Sequence, residues 1–73
     1  MKCVIKLAYD KEADVWIATS DDVKGLALES GSLDALMQKV KTAVPELLEL
    51  NSNIKNQKIT IHFLLDVKQE VYA

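Results

Sequence analysis

Few side chains in this sequence have the chemistry of a reaction centre. His62 is the single histidine, Cys3 the single cysteine, and Ser20, Ser30 and Ser32 are hydroxyls in turn or cap positions. A general base needs a nucleophile within reach and a third group to orient it, and Thr60 and Leu64 beside His62 offer neither. Its parity in an alternating segment is that of an outer-face histidine at a surface or interface. Cys3 shares parity with Ile5, which makes it a small buried hydrophobe rather than a nucleophile. No Gly-x-Ser-x-Gly elbow surrounds the serines. Two soft ligands fall short of the four that a closed zinc site requires. The expectation is a protein with no catalytic residue, no metal and no cofactor.

Charge is the next source of function. Nine basic residues stand against 11 acidic ones, a net charge of −2. A binder of the phosphate backbone would carry a basic patch instead. The acids gather in the turn Asp10-Lys11-Glu12-Ala13-Asp14 and in Asp21-Asp22-Val23-Lys24, just before Gly25. Such a rim suits a basic protein partner, although solvated turns often have the same composition. Lys2 is followed by no long apolar run, and nothing approaches the roughly 20 residues of a membrane helix, so the expected location is cytoplasmic.

At 73 residues the chain is one domain, residues 1–73. A chain this short buries roughly 60% of its unfolded surface and gains only a few kcal/mol of net stability. A lone cysteine rules out an internal disulfide, which leaves self-association as the common means of support.

The elements that position these groups follow from periodicity. Cys3, Ile5, Leu7 and Tyr9 alternate with Lys2, Val4, Lys6, Ala8 and Asp10, a strand with one buried face. Residues 15–20 supply β-branched and aromatic types, and the short polar turn predicts an antiparallel hairpin. With Tyr9 opposite Val15 and Leu7 opposite Ile17, the two apolar sets share a face, and Trp16 and Ala18 join Val4 and Ala8 on the other. The competing register, one residue away, sets Trp16 beside Tyr9. Gly25 closes the acidic corner, and residues 26–29 form a third strand. Ser32 is a good helix N-cap, with Asp34 placed to suit the helix dipole. Leu33, Leu36, Met37, Val40, Val44, Leu47 and Leu48 then recur at helical spacing. Pro45 predicts a kink or a second short helix. Alternation from Ile59 to Val67 predicts the longest strand, with a bend towards Tyr72. The fold class is therefore α+β, a two-layer β-β-β-α-β domain. A right-handed crossover gives a mixed four-stranded sheet in order 3-2-1-4, with the helix on one face.

Several of these segments together resemble a known group. Asp14-Val15-Trp16-Ile17-Ala18, Ser20 to Leu26, Ser32-Leu33-Asp34-Ala35-Leu36 and Val44-Pro45-Glu46-Leu47-Leu48 are similar to a small bacterial family of unknown function in the HicB-like antitoxin superfamily. The resemblance runs from Ile5 to about Val67 and implies a partial ribonuclease H-like fold. It also implies an antitoxin-like role, since HicB antitoxins cover a small basic ribonuclease toxin. Many of those carry a DNA-binding tail, for which a chain ending at Ala73 leaves no room. The implied fold invites a search for metal-binding carboxylates. Asp10, Glu46 and Asp66 lie on the first strand, the helix and the last strand, but Asp10 and Asp66 have outer-face parity. The fold is expected without the nuclease chemistry.

The uncovered sheet face is the remaining candidate. Val4, Trp16, Ala18 and Leu64, with the acidic corner of Asp21 and Asp22, form the expected protein interface, tryptophan being the type most enriched at binding hot spots. Strands three and four are open edges. The function expected is a non-enzymatic protein-interaction module without direct nucleic-acid or membrane contact. Its partners would be a second copy of the chain and a small basic toxin. The rival readings are a homodimeric scaffold and an RNA-binding module, the latter poorly served by Lys39 and Lys41 as the helix's only basic residues.

Overall fold

The structure, a computed structural model, describes residues 1–67 together with 71 and 72. Strand β1 (Lys2–Asp10) leads through a four-residue turn to β2 (Val15–Thr19), and β3 (Ala27–Ser30) follows the acidic corner. One helix, α1 (Leu33–Ser52), then returns the chain to β4 (Thr60–Asp66). The sheet order is β3-β2-β1-β4, with β1 and β4 parallel and the other pairs antiparallel. This is the α+β architecture that the periodicity predicts. β1, at nine residues, is the longest strand rather than β4, at seven. The bend expected beyond Val67 falls on residues 68–70, outside the described ones.

The helix starts and stops where local chemistry says it should. Ser32 has extended geometry and its hydroxyl accepts the Ala35 N–H. At the other end Asn53 takes the left-handed conformation, and the Ile54 N–H reaches back to the Leu48 carbonyl at 3.1 Å. The Asn53 N–H turns to the same carbonyl, so a left-handed cap closes the last turn. Pro45 lies within the single helix and starts no second one. The buried Val44 and Leu48 on either side hold the segment on the core, and their packing outweighs the lost backbone bond.

The hairpin register corrects the sequence expectation. Leu7 faces Ala18, Tyr9 faces Trp16 and Asp10 faces Val15, so the strands are one residue away from the Tyr9–Val15 pairing. The reason lies in the turn. Asp10 Oδ1 accepts the N–H groups of Glu12 and Ala13, at 3.0 and 3.3 Å, an Asx-type closure that keeps Asp10 in the strand. Asp14 completes the loop with φ 55, a conformation that aspartate tolerates better than most residues. Trp16 and Ala18 therefore stand on the helix side with Cys3, Ile5 and Leu7, and Val15 and Ile17 move to the outer face.

That shift decides how the core is filled. Ala18 is fully buried, and its small side chain lets α1 come close to β2 and β3, with Cα atoms within 8 Å. Leu36, Val40, Val44 and Leu48 from α1 meet Cys3, Ile5 and Leu7 from the sheet. Trp16 and Leu28 pack at the margin. Tyr9 and Trp16 make a tilted ring pair with centroids 5.2 Å apart, a favoured aromatic geometry.

Candidate interaction surface

The acidic corner is a fastener as well as a charged surface. β2 stops pairing with β1 at Lys6–Thr19, which leaves the backbone groups of Val4 without a strand partner. Asp22 Oδ2 accepts the Val4 N–H at 2.7 Å, and the Ser20 hydroxyl donates to the Val4 carbonyl at 2.6 Å. Ser20 Oγ also accepts the Asp22 N–H at 3.0 Å, so the two side chains brace each other. Val23 is carried beneath them into the core and is fully buried. The Leu26 N–H then bonds to the Val23 carbonyl, closing a turn whose third residue is Gly25 with φ 86. A Cβ there would also meet Asn51 Nδ2 at 3.1 Å, and that same amide donates to the Lys24 carbonyl. Glycine is needed on both counts.

The two corner aspartates are thus unequal. Asp22 replaces a strand partner, while Asp21 is 98% exposed and stands 4.0 Å from the Lys6 ammonium. An exposed pair of this kind contributes within about 0.5 kcal/mol. Asp22→Ala is expected to lower stability by about 1 kcal/mol, through loss of a charge-assisted bond to a strand N–H. Asp21→Ala should leave it unchanged. Chemical denaturation of the two variants checks the contrast, and equal midpoints would refute the bracing role.

On the outer face of the sheet stand Val4, Ala8, Val15, Ile17 and Leu64, with no helix over them. Val4, Ala8 and Leu64 are where their parity predicts. Trp16 and Ala18 are not among them, because both turned inward with the register, and Val15 and Ile17 stand in their place. Asp10, Glu29 and Asp66 share this face, and Asp21 reaches its edge through Lys6. Lys2 and His62 are there too. The result is a half-exposed face of apolar side chains interrupted at its middle by Lys6, which lies between Leu64 and Thr19, with the carboxylates at the margin.

The side chains with reactive chemistry are scattered. Cys3 is fully buried beneath the helix, and burial first, then the nearby Asp22 charge, push its thiol up, offset in part by the terminal amino group. A thiol so placed is a poor source of thiolate. Tyr9 donates its hydroxyl to Asp14, and that bond is the main reason its phenol is held above its ordinary value. His62 lies on the outer face, paired with Val4 across the strands. Asp10 and Asp66 are on the outer face and Glu46 is on the helix beyond the sheet, so the sheet itself separates the carboxylates. Among the described residues no three His, Cys, Asp or Glu side chains come together as a metal site. An open groove between β3 and α1 is lined by Leu28, Lys39, Thr42, Ala43 and Glu46. Its one hydroxyl, Thr42, is directed to the Gln38 carbonyl. No helix of the described residues is long and apolar enough to cross a membrane.

Residues 2–73 match the model of a family described as a domain of unknown function, DUF1902. The fold is similar to the crystal structure of a hypothetical protein from the extremely thermophilic bacterium Thermus thermophilus. The TM-score is 0.83 at 35% identity, over 99% of this chain and 100% of the other. Among curated proteins no sequence matches this one.

Proposed function

The chain belongs to the DUF1902 family, and from that premise we propose that it is a non-enzymatic, cytoplasmic protein-interaction module. In this reading it is similar to a HicB-type antitoxin domain, and its uncovered sheet face receives a small basic protein. The observation that carries the reading is the outer face itself. Val4, Val15, Ile17 and Leu64, set around Lys6, make this face more apolar than the solvated side of an antiparallel sheet usually is. Asp10, Glu29, Asp66 and Asp21 at its margin would select a basic partner and speed its arrival.

The test is co-purification from the native host. The expected result is stoichiometric capture of a small basic protein encoded in the neighbouring reading frame. Ile17→Lys should weaken that capture about tenfold or more, since it puts a charge among the apolar side chains facing a basic partner. Raised salt should weaken it further. Absence of a basic neighbour, or capture unaffected by Ile17→Lys, would reject the reading. A homodimeric scaffold is the second reading, and the open edge of β4 is what favours it.

A further inference from the structure

We propose that a second copy of this chain pairs antiparallel with β4 about a two-fold axis at Leu64, so that two sheets become one. This deepens the self-association reading above and does not depend on a basic partner.

The two sheet edges are not equivalent. Val4 turns its N–H and C=O away from β4, towards Ser20 and Asp22, and alternation across the antiparallel strands then directs the Ala27 and Glu29 groups of β3 outward. That edge is only four residues long, and Lys39 Nζ donates to the Glu29 carbonyl at 3.2 Å. It is short and partly capped, as a guarded edge should be. On the opposite side the Thr60 N–H bonds to the Met1 carbonyl at 2.8 Å, so the even-numbered residues of β4 bond inward to β1. The N–H and C=O groups of Ile61, Phe63 and Leu65 therefore face outward. Among the described residues no backbone bond outside the sheet reaches them. No lysine or proline interrupts this seven-residue edge, and Leu64, Leu65 and Val67 are 47%, 56% and 46% exposed.

The sequence of the edge is complementary to itself when reversed about Leu64. Phe63 of one copy then meets Leu65 of the other as a hydrogen-bonded pair, and Ile61 meets Val67 in the same way. These pairs lie on the helix side. On the outer face Leu64 meets Leu64, and His62 meets Asp66 twice over, the imidazole facing a carboxylate. Centring the axis at Phe63 instead would set His62 against Leu64 and lose that match. A two-fold axis makes such an interface closed, with no edge left over at β4 to recruit a third copy.

Sedimentation velocity of the full chain over a concentration series tests the inference, read together with amide exchange. The wild type is expected to form a dimer with slow exchange at Phe63 and Leu65. Leu64→Lys, which sets two ammonium groups face to face, should yield a folded monomer in which those amides exchange fast, while circular dichroism stays unchanged. Asp66→Lys should weaken the dimer about tenfold through two lost cross-strand pairs, and His62→Glu with Asp66→Lys should restore it. The charge exchange gives a readout even if Leu64→Lys disturbs folding. A monomeric wild type, a dimer with Phe63 and Leu65 amides unprotected, or a dimer indifferent to Asp66→Lys would each overturn the proposal. Ile17→Lys should leave this dimer intact, so failure of the partner reading and failure of the edge pairing are separately visible.

Discussion

Trp16→Ala is expected to lower the stability of the fold by about 2–3 kcal/mol while leaving its association state unchanged. The indole is half-buried at the margin of the core and rests on Tyr9 with ring centroids 5.2 Å apart. Truncating it removes apolar area worth about 25 cal/mol per Å² together with roughly 1 kcal/mol of ring pairing. Complete burial would make the loss larger, and the incomplete burial here sets the lower figure. In a domain of this size each kcal/mol moves the melting temperature by about 4–8 °C, so a fall of about 10–20 °C should be plain in a thermal scan. A tryptophan on the outer face would give the opposite pattern, with a small change in melting and a large change in sedimentation. The measurement therefore tests the hairpin register as well as the role of one side chain. Ile17→Ala is the control, since it removes an apolar group from the uncovered face and should cost less stability.

How much of this was legible in the sequence depended on the range of the forces involved. The order of elements and the strand order 3-2-1-4 followed from alternation and helical spacing, which are repeated over many residues and survive a local misreading. Ser32 as a cap and Gly25 as a turn residue were readable because each needs only its neighbours. The register was not readable from apolar content, since Val15 and Ile17 pair with the core pattern as plausibly as Trp16 and Ala18 do. It was settled by the Asp10 carboxylate, which ties down two N–H groups of the turn and so fixes the loop at four residues. The spacing of Asp10 and Asp14 was the available signal. The candidate surface inherited that error in β2 alone. Val4 and Leu64 kept their places because the parity of β1 and β4 does not pass through the turn.

The acidic corner hid its most consequential residue. Val23 stands between an aspartate and a lysine, and an isolated apolar residue among charges has no periodicity to betray it. The bracing of Val4 by Ser20 and Asp22 is what drives Val23 inward, and those bonds span 16 and 18 residues of sequence. Val23→Asp is accordingly expected to abolish folding at ordinary temperatures. A carboxylate with no partner in that position would cost several kcal/mol, comparable to the whole stability of a domain this small. Val23→Ala, which leaves a cavity without a charge, should cost about 2 kcal/mol and remain folded. Lys24→Asp adds the same acidic group one residue along, at an exposed position, and should melt close to the wild type. Far-ultraviolet circular dichroism with thermal melts of the three variants separates the two views of this corner. If Val23→Asp melts like Lys24→Asp, the corner is only a charged loop and its fastening of β1 has no structural consequence. If Val23→Asp alone is unfolded, the acids that face solvent are held in position by the apolar residue that follows them, and any partner drawn to Asp21 meets a rigid surface.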